Sequence, residues 1–497
     1  MSKNWAKMDL STVPNMVSAT VPGPKSIEYH ERCAKYMKGY SSQVKLFPVT
    51  FESGYGYTLK DVDGNTYLDF SSGIYVTGLG HCHPKISEAV AHHAKNLMNC
   101  HDFTTKVKME LIEKLHEITG GRFAGFQLYD SGTTAVEAGL RCARAATGKQ
   151  EFISFWRDFH GKTYGANSCA VVGPDTHMRA PGFMLAPRPN PYRDFFGRTP
   201  EEAWKDSSPY IRMIEGILDN ECASGGKNVA AIVLEPVQGW GGSIVPPPDF
   251  IPALRALCDK RDILLFADEV LNCMARTGKY LAMDHWNVTA DITTLGKGFG
   301  NGFPVTAMAV SEKLAPAIEK ISASSSYGGN PMACAAALES IKVIEEEGLN
   351  ERSAHLGEIM LKKMEEMKAA HPIIGDVRAI GCLQAIEIVK DRETKEPFAE
   401  AGTMIYQKAF EKGLAWVPSG HILRMSPPMI LDDEAALKGL SIIEEAVAED
   451  LVDQIFEKIS VSVDSVEVDG DKATAKCTLS APDFESMDSA MDDELQT

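Results

Sequence analysis

A chain of 497 residues, 44% hydrophobic and 24% charged, has ordinary globular composition and the length for two or three domains with large cores. A formal charge of −18 with no basic stripe argues against a nucleic-acid partner. No apolar run nears the ~20 residues of a membrane span, and Met1-Ser2-Lys3-Asn4-Trp5 lacks a secretory apolar block, so a cytoplasmic protein is expected. The eleven cysteines are odd in number and form no Cys-x-x-Cys pair, which fits reduced thiols better than a disulfide framework or a zinc site.

Along the chain, residues 45–99 carry hairpin-like turns such as Asp63-Gly64-Asn65. Ser131-Gly132-Thr133 leads into a helical segment over 134–146, with Val136, Leu140 and Ala143 on one face and Gly148 as its terminator. Short apolar runs at 152–155, 229–235, 263–268, 292–295 and 306–310 predict strands. Several lack alternation, as expected where helices cover both faces of a parallel sheet. Beyond about Gly329 the chain is helix-rich, then mixes strands and helices again. These pieces predict a smaller domain packed on a large central one, with boundaries near residues 100, 335 and 460. Residues 461–497 hold ten Asp/Glu and two Lys, −8 of the total −18. Within them, alternating residues around Asp469-Gly470-Asp471 predict a small hairpin, and the acidic stretch after Ser480 predicts disorder.

Ligands of open α/β sheets bind at the carboxyl ends of strands, so polar residues closing apolar runs come first: Glu235, Asp268 and Lys297. Lys297 sits in Leu295-Gly296-Lys297-Gly298-Phe299-Gly300, where glycines let a ligand approach the backbone. It could be a solvated loop lysine, but the full phosphate-loop pattern of nucleotide enzymes is absent. A desolvated amine in an apolar setting is the residue type used for Schiff-base chemistry. Asp268 closes Ile263-Leu264-Leu265-Phe266-Ala267-Asp268 and needs a cationic or hydrogen-bonding partner, which a pyridinium nitrogen or a structural ion pair would supply. Ser131-Gly132-Thr133 before a helix is either a plain N-cap or an anion site made of free N–H groups and the helix dipole.

Taken together over residues 45 to 450, this order of motifs resembles the class III aminotransferases, the ornithine, 4-aminobutyrate and acetylornithine type. Gly56-Tyr57-Thr58-Leu59-Lys60-Asp61-Val62-Asp63-Gly64 and Tyr67-Leu68-Asp69-Phe70 are similar to the family's opening signature, and Gly78-Leu79-Gly80-His81-Cys82-His83-Pro84 follows it, which accounts for the His-Cys-His run without a metal. The resemblance implies a fold-type I transferase dependent on pyridoxal phosphate: a large domain with a mostly parallel seven-stranded sheet covered by helices, plus a smaller α+β domain from both chain ends. It implies that Lys297 carries the cofactor as an internal aldimine and that Asp268 binds the ring nitrogen. By the same resemblance Ser131, Gly132 and Thr133 hold the phosphate, Phe159 stacks on the ring beside His160, Val270 covers the opposite face, and Glu235 completes the cofactor site. Ser326 would reach the phosphate of a neighbouring subunit, which requires a homodimer or dimer of dimers. Arg424 matches the arginine that grips the substrate carboxylate, since a planar fork suits bidentate recognition.

Three positions depart from the family pattern. Gln238-Gly239-Trp240-Gly241-Gly242 carries an indole where members that use 2-oxoglutarate commonly have Glu. His160-Gly161-Lys162 ends in Lys where an Arg often takes a second carboxylate, and Leu271 stands where Gln often contacts the cofactor's phenolic oxygen. With Trp240 as a bulky wall and Lys162 as a poorer bidentate partner, the expected reaction is ping-pong transamination from an amino acid, ω-amino acid or amine to a 2-oxo acid, pyruvate in preference to 2-oxoglutarate. The same fold also serves amino-acid racemases and epimerases and a dialkylglycine-type decarboxylase. A non-catalytic scaffold would be expected to lack Lys297 or Asp268, and both are present.

Overall fold

The computed structural model describes residues 5–170, 179–457, 460–469 and 472–480. Near the start, β1 (Phe51–Tyr55), β2 (Thr58–Asp61) and β3 (Thr66–Asp69) form an antiparallel meander. Its β2–β3 turn is the one read at Asp63-Gly64-Asn65: the Asp61 carboxylate accepts from Asp63 N and Asn65 N at 3.0 and 2.8 Å, an arrangement in which an Asp side chain replaces backbone turn bonds.

The central sheet is built from β4 (Gly125–Tyr129), β5 (Glu151–Phe155), β6 (Phe183–Ala186), β7 (Val229–Leu234), β8 (Leu264–Glu269), β9 (Ile292–Leu295) and β10 (Thr306–Val310), in the order β4-β10-β9-β8-β7-β5-β6. Only β10 runs antiparallel to its neighbours. β7 and β10 are buried at every residue, which is why their sequences run apolar without alternation. The helix Gly132–Thr147 lays Val136, Leu140 and Ala143 against the sheet, starts from an N-cap at Ser131 and ends at Gly148 in the left-handed region, φ 73°.

Helices Pro331–Glu347 and Leu349–Ala370 follow, then β11 (Ile374–Ile380), β12 (Leu383–Ile388), β13 (Leu414–Ala415), β14 (Val417–Ser419) and β15 (Ile422–Met425). A second sheet has the order β11-β12-β15-β14, while β13 crosses to lie parallel beside β3 and ties the two ends of the chain together. One apolar core runs continuously from Tyr67 and Phe70 through Ile341 and Met360 to Leu423 and Ile443. The expected hairpin is present as β16 (Ser460–Asp469) and β17 (Lys472–Ser480), a two-stranded sheet of its own. Its turn residues and the acidic stretch after Ser480 lie outside the described residues. Among the described residues no helix is long and apolar enough to cross a membrane.

Candidate active site

Because β4, β9, β8, β7, β5 and β6 are mutually parallel and β10 is not, one rim of the sheet gathers the carboxyl ends of six strands and the amino end of β10. A cavity of about 500 Å³ opens there, within the range of cofactor sites. Ser131, Gly132, Thr133, Phe159, His160, Lys162, Glu235, Asp268, Val270 and Lys297 all line it. Arg424, Trp240 and Ser326 do not.

Asp268 and Lys297 leave adjacent strand ends. Asp268 pairs with Thr294 across β8 and β9, and Lys297 follows three residues later with φ 47°. The Asp268 carboxylate, 3% exposed, accepts from Thr294 Oγ1 at 2.8 Å and Val270 N at 3.1 Å, and meets His160 Nδ1 at 2.8 Å. Around the Lys297 amine, burial pulls the pKa below the usual lysine range; Arg424 acts in the same sense, Asp268 and Glu235 against it. His160 is held between two carboxylates, with Nε2 at 3.6 Å from Asp158. Burial alone would discharge its ring, yet Asp158 and Asp268 outweigh it and push the pKa up to about 10.

Glu235 gives both carboxylate oxygens to backbone N–H groups, of Phe159 at 2.8 Å and Gly239 at 3.0 Å. Burial, with Asp158 nearby, raises its pKa to about 8. It thereby fixes the two loops that carry Phe159 and Trp240. At the opposite end, Thr306 Oγ1 donates to Ser131 O at 3.0 Å and pins the start of the helix Gly132–Thr147. Thr133 Oγ1 lies 2.6 Å from Thr163 Oγ1, which donates to Glu137 at 2.7 Å. Gly161 must be glycine here: its φ is 123°, and a Cβ would fall 2.2 Å from Thr133 Oγ1.

Arg424, on β15, is 1% exposed, and its three guanidinium nitrogens have no hydrogen-bond partner among the described residues. Trp240 covers it, its ring lying 4.3 Å from the guanidinium carbon and 5.6 Å from the Phe159 ring. Lys162 is exposed at the cavity mouth, and Leu271 presents an apolar wall. Ser326 is exposed, its carbonyl accepting from Asn99 Nδ2 at 2.9 Å. Asp158 escaped the sequence reading. It accepts from Gln238 Nε2 at 2.6 Å and Glu235 N at 3.0 Å, and faces Arg188 and His160. The signal was weaker than for Asp268: Asp158 stands three residues beyond the apolar run 152–155, with Trp156 and Arg157 between.

These residues fit pyridoxal phosphate. A helix N-terminus offers an anion cradle at one end, a buried carboxylate awaits a protonated ring nitrogen at the other, and a desolvated amine stands between. Fold and site are those of a fold-type I enzyme dependent on pyridoxal phosphate. The class III aminotransferase family model matches residues 40–447, and the chain belongs to that family. It is 35% identical to the 5-aminovalerate aminotransferase of Pseudomonas aeruginosa, over 82% of this chain and 95% of that protein. It is 32% identical to the leucine/methionine racemase of Thermococcus litoralis, over 82% of this chain and 93% of that one. An amine transaminase structure from an uncultivated Pseudomonas species, in its cofactor-bound form, superposes with a TM-score of 0.78 at 29% identity, covering 83% of this chain and 98% of that chain.

Proposed function

We propose that this aminotransferase moves an amino group from an ω-amino acid, amino acid or amine to a 2-oxo acid, pyruvate in preference to 2-oxoglutarate, in ping-pong order. The observation that carries this reading is the placement of Lys297 and Asp268 at adjacent strand ends, with Arg424 buried beyond them and without an ion-pair partner among the described residues. When bound, pyridoxal phosphate supplies the electrophilic carbon and the electron sink. The N–H groups of Gly132 and Thr133 would hold its phosphate, with the Ser131 cap fixing their direction. The Asp268 carboxylate would pair with the ring nitrogen, and His160, Thr294 and Val270 N orient that carboxylate. The lowered pKa of Lys297 supports its amine as the group that takes a proton from the amine-bearing carbon of the substrate and returns it to the carbon on the far side of the nitrogen.

Arg424 would take one carboxylate. A second carboxylate would have to rely on Lys162, a flexible point charge at the solvent boundary, with Trp240 occupying the space around Arg424. That asymmetry supports pyruvate. The 5-aminovalerate relative supports an ω-amino acid as donor. Ser326 and its neighbour Tyr327, 65% exposed, support a homodimer or dimer of dimers in which Ser326 serves the neighbour's phosphate. The eleven scattered cysteines, ten of them seen free among the described residues, support a reducing, cytoplasmic location. Steady-state rates with pyruvate and 2-oxoglutarate at one fixed donor test the acceptor assignment. A kcat/KM ratio of about tenfold or more for pyruvate is expected, and a ratio reversed in favour of 2-oxoglutarate would overturn it.

A further inference from the structure

Before Arg424 can hold a carboxylate, the buried groups around it must suit one. The segment Ser72–Tyr75 is a left-handed turn: Ser72, Gly73, Ile74 and Tyr75 have φ of 47, 58, 65 and 66°. L-residues seldom occupy this region in succession, and strain of this kind persists where the surroundings over-determine it. Here they do. Asp69 Oδ1 accepts from Ser71 N and Ser72 N at 2.8 and 2.9 Å. Ser72 Oγ donates to Ser426 O at 2.6 Å, and Ser426 Oγ donates to Ser71 O at 2.8 Å. Ser426 stands two residues beyond Arg424, so these bonds lock the turn to the end of β15.

The turn delivers Tyr75 into the interior, 2% exposed, with no acceptor for its O–H among the described residues. Arg424 and Arg276, which is also 2% exposed and has Nη2 unpartnered, are close enough for their charges to act on the phenol. Burial, with Glu235 in the same sense, pushes its pKa up, while Arg424, close enough to donate to the phenol oxygen, and Arg276 oppose that. Val76, the next residue, lines the cavity. Buried donors without acceptors are rare because each forfeits its hydrogen bonds to water. A cluster of them needs an acceptor with several lone pairs and a negative charge, which is a carboxylate.

We propose that Tyr75 is a substrate-positioning residue, its hydroxyl donating to the carboxylate that Arg424 grips. This rests on the reading of Arg424 as the carboxylate site. It adds a residue whose loss leaves the charge pair intact and removes one hydrogen bond. A phenol fixed on a clamped turn also sets the rotation of the carboxylate, which the arginine fork alone defines in its own plane.

The test is calorimetric titration of the holoenzyme with propanoate, a monocarboxylate that carries no amine, for wild type, Tyr75→Phe and Arg424→Leu. Tyr75→Phe should weaken propanoate about tenfold, as loss of a hydrogen bond to a charged group does, with the cofactor's absorbance band unchanged. Arg424→Leu should abolish binding. Unchanged affinity in Tyr75→Phe, alongside loss in Arg424→Leu, overturns the role of Tyr75 alone. Equal weakening of butylamine and 4-aminobutanoate as donors to Tyr75→Phe would mark a structural defect and overturn it too. The aminotransferase reading fails separately, as an absorbance band that no amine donor bleaches.

Discussion

Lys297 and Asp268 could be named from the sequence because each closes an apolar run, and a charge in that setting has few inexpensive explanations. Arg424 is legible by resemblance as well, but nothing in Leu423-Arg424-Met425 foretells that its guanidinium lies against an indole, since Trp240 is far away in the chain. If Lys297 is the proton carrier proposed above, replacing it with Ala should lower turnover by about 10²–10⁴-fold or more, measured with saturating donor and acceptor. The His160 ring makes a pH prediction. Its folded pKa of about 10 lies above the ~6.5 of an unfolded chain, so its stabilising contribution is complete below about pH 6.5 and is lost as pH rises through 10. The thermal midpoint of wild type should therefore exceed that of His160→Asn by most near neutral pH, with the gap closing towards pH 10. A gap that widens with pH would contradict the pairing with Asp158 and Asp268.

At the scale of elements, the strands that the sequence revealed are the buried ones. β7, β8, β9 and β10 are buried throughout and mostly apolar, so their limits differ from expectation by a residue at most. β4 and β6 were not legible. β4 is half-buried, begins with Gly125 and pairs only with β10, and β6 is a four-residue edge strand beside β5. Such strands owe their form to pairing with a partner remote in sequence rather than to their own pattern. Between elements, the approach of the 159–163 loop to the helix at Thr133 rests on Gly161. Gly161→Ala should cost roughly 1–3 kcal/mol and loosen the phosphate cradle, seen as a lower denaturant midpoint and weaker retention of pyridoxal phosphate on dialysis. Retention equal to wild type would show that Thr133 is not held in place by this contact.

For the molecule as a whole, the site depends on chain that is distant in sequence. β13 joins β3, Ser426 bonds to Phe70 and Ser71, and Arg378 Nε donates to Gly242 O at 2.8 Å, bracing the loop that carries Trp240. The tail hairpin pairs within itself, and a lone two-stranded hairpin adds little stability. A chain ending at residue 459 should keep its thermal midpoint within about 2 °C of the full chain and retain its turnover. A larger loss would mean that the tail packs on the enzyme. The most direct test of the central claim is the visible absorbance of the purified holoenzyme while an ω-amino acid and then pyruvate are added. The donor should bleach the cofactor band and pyruvate should restore it, once per site, with Lys297→Ala showing neither change. A band that amino acids perturb without any need for an oxo acid would point to racemisation instead, and a band indifferent to every donor would contradict the account.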